Sequence, residues 1–302
     1  MTATMEIPDR PVSAADPTAV PGAGWSVPVS TPAPAPAAAP DKRAFVRQIM
    51  GMPISIHVRG PQARDPRWRQ RVEAIVETAF AELVWVDETF SLWKPDSPLS
   101  RIRRGELTVA ALRTDDPVAA DAIEEVFALC EEASRRTDGA FRWLWPAPGS
   151  DPEAAGQLLI EPTGLVKGWA IERAATVLAE LAGVGEGLSF CLNAGGDIAV
   201  GGREGGAADR PWRLAVEDPH APGRVARVVE LTHGGLATSG TAARGAHLLD
   251  PATGEPVPWT GSVSVWGPSV LWADVWATAL FVGPLSLEAQ LHAEPGWRVA
   301  RY

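Results

Sequence analysis

LSFCLNAGGDIAVGG, residues 188–202, reads as strand, tight turn, strand. Apolar residues fill both flanks, and the Asn-Ala-Gly-Gly-Asp between them (Asn193, Gly195, Gly196 and Asp197 in particular) has turn chemistry, because glycine accepts the positive φ of a short hairpin connection. Two adjacent glycines also let a backbone approach a ligand closely, so the same loop reads either as a plain hairpin turn or as part of a binding wall. Outward from this hairpin the pattern repeats. Downstream, WRLAVEDP, VARVVEL and SVSVWG are further strands, Ser269 caps a helix over 270–282, a short helix lies near 286–293, and WRVARY is a last strand. Upstream, FVRQIMGMPISIHVRG is two strand segments around Met50-Gly51-Met52, with Ile54, Ile56 and Val58 facing in and Ser55, His57 and Arg59 facing out. His57 is therefore expected to be an exposed strand residue.

Three helices lie between these strands. Val72, Ile75, Val76, Ala79, Phe80, Leu83 and Val84 keep helical rhythm from Trp68 to about Glu88. Asp116 caps a second helix with Pro117 at its first position, Val118, Ala122, Ile123, Val126, Phe127 and Cys130 as its buried stripe, and Thr137-Asp138-Gly139 at its end. A short strand then leads through Pro162, Thr163 and Gly164 into a third helix whose inner face is Trp169, Ala170, Ala174, Val177, Leu178 and Leu181. Helices mixed with strands that are mostly not in βαβ order predict an α+β fold: one domain over 42–302, with mixed or antiparallel sheets and packed helices. Residues 1–41 are rich in Pro and Ala and show no periodicity, which predicts a disordered tail.

The chain has 302 residues, 46% hydrophobic and 21% charged, enough for a sizeable core. Its net charge of −10 argues against nucleic acid or an anionic membrane as partner, since both need a basic footprint. No apolar run approaches the ~20 residues of a membrane span. The first 25 residues lack a basic start followed by an apolar run, so neither a secretory signal nor a lipid-anchoring Cys is expected. Cys130 and Cys191 sit in apolar surroundings and read as small core residues, which suits a cytoplasmic protein.

The chemistry-bearing residues concentrate near the C-terminal end. TSGTAARGAHLLDPATG, residues 238–254, offers Thr238, Ser239 and Thr241 as a hydroxyl cluster on a loop suited to an anion, and DPATG as a turn. His247 within it is the best candidate general base, its alternative being a hydrogen bond to the adjacent turn. Asp274 and Thr278 stand four residues apart on one face of LWADVWATALF, an apolar helix in which a carboxylate is costly unless paired or on a metal. Oxygen ligands at that spacing suit Mg²⁺, while an Arg or backbone amide as partner is the other reading. Lys167, near a helix start, can neutralise a phosphate or be a solvated surface lysine.

Taken in order, MGM at 50–52, FSLW at 90–93, DGAF at 138–141, GLVKGWAIERA at 164–174, CLNAGGDIAVGG at 191–202, ATSGTAARGAHLLDPATG at 237–254 and SVSVWGPSVLWADVWATALF at 262–281 resemble the ApbE family, the FAD:protein FMN transferases. The resemblance implies a T-fold-like ApbE domain that binds FAD with Mg²⁺ and transfers FMN to a Thr or Ser hydroxyl of a target protein, releasing AMP. It implies FAD contacts at Met50, Trp93, Ala140, Phe141, Arg142, Glu161 and Lys167, with Asn193, Gly195, Gly196 and Asp197 in the turn beside the ligand. It implies metal contacts at Gly164 (through its carbonyl), Asp274 and Thr278, and a catalytic role for His247. Three positions depart from the family pattern: Arg142 stands where an Asp is usual, Trp93 where a Tyr is usual, and Glu161 where an Asp is usual. Two rival expectations are an FAD pyrophosphatase giving FMN and AMP, and an FAD-binding protein without catalysis.

Overall fold

The computed structural model describes residues 42–146, 158–203, 210–241 and 248–302. The tail read over 1–41 lies outside the described residues. β1 (Lys42–Ile49) and β2 (Met52–Arg59) form the first hairpin. Its two-residue turn holds Met50 at φ 54° and Gly51 at φ 70°. That left-handed conformation is natural for Gly51 but costs Met50 roughly 1–2 kcal/mol. Four helices follow: α1 (Pro66–Phe90), α2 (Pro98–Arg103), α3 (Val109–Asp115) and α4 (Pro117–Arg136). Asp65 and Asp116 cap α1 and α4 through their carboxylates, each with a proline in the first helical turn. β3 (Leu144–Pro146) and β4 (Leu158–Ile160) pair, and α5 (Thr163–Leu178) follows.

The rest of the chain is mostly sheet. β5 (Ser189–Ala194) and β6 (Asp197–Gly202) are the hairpin read from 188–202, joined by Gly195 and Gly196 at φ 63° and 101°. β7 (Trp212–Glu217) pairs with β8 (Val225–Leu231). β9 (Gly234–Gly240), β10 (Ser262–Gly267), α6 (Val270–Val282), α7 (Leu287–Ala293) and β11 (Arg298–Arg301) complete the order. The main sheet runs β1-β2-β5-β6-β9-β10-β11, and every pair in it is antiparallel. The fold is α+β in a single domain.

α1, α5 and α6 stack on one another over one face of that sheet, and the main core lies there. The β7–β8 hairpin carries a second, smaller core in which Trp212, Leu214, Val216 and Val229 pack with Cys191, Ile198, Val200 and Leu236. This cover corrects the reading of β2's polar face. His57 is half-buried, and burial, then the nearby Lys42 charge, lowers its pKa. Arg59 is buried too. It donates to the Arg210 and Pro211 carbonyls and lies 4.0 Å from the centre of the Trp212 ring.

Two more expectations are corrected. Thr238 and Ser239 sit in β9, inside the sheet, and are not on a loop. Val118 is 62% exposed: the buried stripe of α4 runs through Ala119, Ile123, Val126 and Cys130, one position off it. Both cysteines are buried and free, and burial pushes both thiols up. Among the described residues no helix is long and apolar enough to cross a membrane.

Candidate functional site

A cavity of about 1320 Å³ opens where the turns of two hairpins, the start of α5, one face of α6 and the turn after β7 meet. Ligand pockets usually measure about 300–1,000 Å³, so this one has room for a dinucleotide. Met50, Trp93, Ala140, Phe141, Arg142, Glu161, Gly164, Lys167, Gly195, Gly196, Asp274 and Thr278 all line it. These residues come from six separate stretches of sequence, and the fold brings them to one wall system. His247 lies outside the described residues.

The centre of the site is ionic. Lys167, on α5, makes an ion pair with Asp197, and its Nζ lies 3.5 Å from Asp274 Oδ1. Asp197 opens β6 and is buried, and its Oδ1 accepts from the Thr238 N–H at 3.2 Å. Asp274 is 3% exposed, and its Oδ2 meets no hydrogen-bond donor. Burial pushes the Asp274 carboxyl up to about 7; the Lys167 charge pulls it back down and Asp197 adds to the rise. Thr278, one helical turn on from Asp274, hydrogen-bonds Ser239 at 3.0 Å, which ties α6 to β9.

Local sequence explains how the helices come so close. A Cβ on Gly168 would stand 3.0 Å from both Asp274 Cβ and Leu271 Cα, so a residue without a side chain lets α5 press against α6 at the carboxylate. At the start of α6, Ser269 Oγ accepts from the Trp272 N–H, and Glu172 Oε2 accepts from Ser269 Oγ and the Leu271 N–H, both at 3.0 Å. In the β5–β6 turn Asn193 Oδ1 accepts from the Gly196 N–H at 3.0 Å. The loop is thus both a hairpin turn and a stretch of cavity wall.

The rim combines aromatic and charged groups. Trp93 is 96% exposed at the cavity edge. Glu161 pairs with Arg103 at 2.9 Å and accepts from the Thr163 hydroxyl. Arg142 gives its Nε to the Leu144 carbonyl at 2.8 Å and its Nη1 to the Pro251 carbonyl at 2.6 Å. Reading the sequence alone missed Arg103, Thr163 and the turn residues Asp218, Pro219 and Pro222, all of which line the cavity. DPHAPG signals a turn, but nothing in it says which way the turn faces.

The model of the ApbE family matches residues 50–144 and 152–297. The chain belongs to the ApbE family. Curated relatives include an FAD:protein FMN transferase of Klebsiella pneumoniae, 30% identical over 139 residues, covering 42% of this chain and 38% of the relative. Another, from Chlamydia pneumoniae, is 26% identical over 247 residues, covering 69% of this chain and 76% of the relative. The chain therefore spans little more than a third of the Klebsiella protein's length in that alignment, 38%. Among solved structures, an ApbE protein of Thermotoga maritima superposes with a TM-score of 0.63 at 20% identity, covering 86% of this chain and 94% of that one. The apo flavinyl transferase ApbE of Pseudomonas stutzeri gives a TM-score of 0.61 at 22% identity, covering 87% and 94%. At these identities the superpositions speak to the fold.

The residues of this ApbE-family chain fit a hard divalent cation. Among the described residues no three His, Cys, Asp or Glu side chains gather, which speaks against an all-protein cage. What the site offers is one buried carboxylate with an oxygen lacking a donor, a hydroxyl one turn along the same face, and cavity space beside them. Mg²⁺ binds in this way, with few protein oxygens and the remainder from water and phosphate.

Proposed function

We propose that this chain transfers FMN from FAD to a Thr or Ser hydroxyl of a target protein, with Mg²⁺ as cofactor and AMP as leaving group. One observation carries the reading: Lys167 and Asp274 meet on the wall of a cavity large enough for a dinucleotide, with the buried Asp197 paired to Lys167. The family membership and the names of the relatives support it. Asp274, Thr278 and the Gly164 carbonyl would hold the cation. When bound, a divalent ion neutralises charge on phosphate oxygens during phosphoryl transfer. Lys167 adds a positive charge near the same oxygens. Trp93, Phe141 and Met50 offer apolar faces to flat rings. Gly195 and Gly196 let backbone approach the ligand, and Ala140, Arg142 and Glu161 complete the wall. In the reaction the acceptor oxygen forms a bond to the FMN phosphorus, the bond from that phosphorus to the oxygen bridging to AMP breaks, and His247 accepts the hydroxyl proton.

Mass spectrometry after incubation with FAD, Mg²⁺ and a candidate target tests this. The expected result is a target heavier by one FMN, with AMP in solution. Rapid release of free FMN and AMP without any target would instead support a pyrophosphatase. Intact FAD in both incubations would overturn catalysis altogether.

A further inference from the structure

Residues 248–257 fold back on themselves. The Val257 N–H donates to the Leu248 carbonyl at 3.0 Å, and the Asp250 and Gly254 N–H groups donate to the Glu255 and Asp250 carbonyls, each at 2.8 Å. Asp250 Oδ1 accepts from the Ala252 N–H at 2.7 Å, and Gly254 takes the positive φ of 73° that closes the turn. These bonds shape the turn but do not fix where it sits. Leu248 and Val257 root its base on the main core. Its tip is held by Arg142, whose guanidinium reaches from β3's approach to the Pro251 carbonyl at 2.6 Å while also donating to Leu144 at 2.8 Å. The same guanidinium lies 5.1 Å from the centre of the Trp145 ring. Among the described residues no other side chain from outside 248–257 hydrogen-bonds this tip.

Arg142, Trp145, Leu248 and Leu249 all line the cavity. We infer that Arg142 is a positioning residue: it latches the 250–254 turn to the start of β3 and so fixes Leu248 and Leu249 as a preformed cavity wall. A planar fork suits this task, because it holds two carbonyl oxygens from separate segments in one fixed geometry. The point charge of a lysine does not. On the transferase reading proposed above, the wall is then ordered before FAD arrives, and binding does not have to order it. Two of the guanidinium N–H groups are committed to carbonyls, so the charge of Arg142 serves the wall first.

Hydrogen exchange read by mass spectrometry on the full chain, without ligand, compares wild type with Arg142→Gln and Arg142→Lys. Amides of 250–257 are expected to exchange about tenfold faster in both variants, as a locally loosened segment does. Unchanged exchange in β5 and β6 shows that the variants are folded. Wild-type protection of the turn in both variants would overturn the latch. In FAD titrations both variants are expected to bind about tenfold more weakly, the loss of preorganisation being shared. Wild-type affinity in Arg142→Lys beside a loss in Arg142→Gln would show that charge matters and the fork does not, and the positioning role would fall. A wild-type chain that fails to bind FAD would sink the transferase reading, and the exchange arm would still decide the latch.

Discussion

At the scale of single residues, Asp274 is the group most out of place in water-based expectation. Its folded-state pKa of about 7 stands above the ordinary 3.8, so the folded chain keeps a proton that the unfolded chain releases. The sign follows: this contribution to stability is present below the unfolded pKa and is lost as pH rises through the folded one. At roughly 1.4 kcal/mol per unit it amounts to a few kcal/mol at most. The wild-type melting temperature, measured against Asp274→Asn by calorimetry, is therefore expected to fall between pH 5 and pH 8. A constant difference would show that the carboxyl titrates normally. A metal must displace that proton, so Mg²⁺ is expected to raise the melting temperature more at pH 8 than at pH 5.5. Trp93 is the opposite case. It is 96% exposed, so Trp93→Ala is expected to leave stability within about 0.5 kcal/mol. The same change removes a ring from the cavity rim and is expected to weaken FAD binding a few-fold to about tenfold, the range of one aromatic contact. Loss of stability with unchanged FAD affinity would make Trp93 structural.

At the scale of elements, α6 depends on the strand beneath it. A Cβ on Gly235 would lie 2.5 Å from Val270 Cα and 2.7 Å from Val270 N, both backbone atoms that cannot rotate away. Gly235→Ala must then lift the start of α6 off β9, and a loss on the order of 3 kcal/mol is expected in denaturant unfolding. Unchanged stability would mean that the helix does not sit where its Asp274 needs it. The same elements show what a sequence can display. α6 was legible because Ser269 is a strong cap and the run after it is too long for a strand; Asp274 and Thr278 on one face followed from helical spacing alone. β9 was not legible. GGLATSG lies within the sheet with a helix on one side and a second core on the other, so the inside–outside alternation of a half-buried strand is blurred, and its Thr and Ser read as a loop. α2 and α3 span 6 and 7 residues, too short to show a helical repeat.

At the scale of the whole molecule, the site exists only once distant segments have met. Lys167, Asp197 and Asp274 each carried two readings in the sequence, because an ion pair across an antiparallel sheet and two helices leaves no spacing to detect; family resemblance named the residues, and the fold shows why they need one another. The cavity lined by Lys167 and Asp274, about 1320 Å³, is also lined by apolar and aromatic residues such as Met50, Trp93 and Phe141, and Asp197 pairs with Lys167. On the proposed reading, with a cation held at Asp274, the ligand that fills it is flat at one end and anionic at the other, and its parts are joined. Linked parts bind better than separate ones, since the second contact becomes intramolecular once the first has formed. A ligand at 100 times its Kd stabilises the native state by about 2.7 kcal/mol. In a domain of this size each kcal/mol moves the melting temperature by about 2–4 °C, so FAD with Mg²⁺ is expected to raise it by at least about 5 °C. FMN and AMP, added together at the same concentration as FAD, are expected to give clearly less. If FMN alone gives the full shift, the adenylate half touches nothing, the breadth of the cavity has another purpose, and the dinucleotide is not the ligand this wall was shaped around.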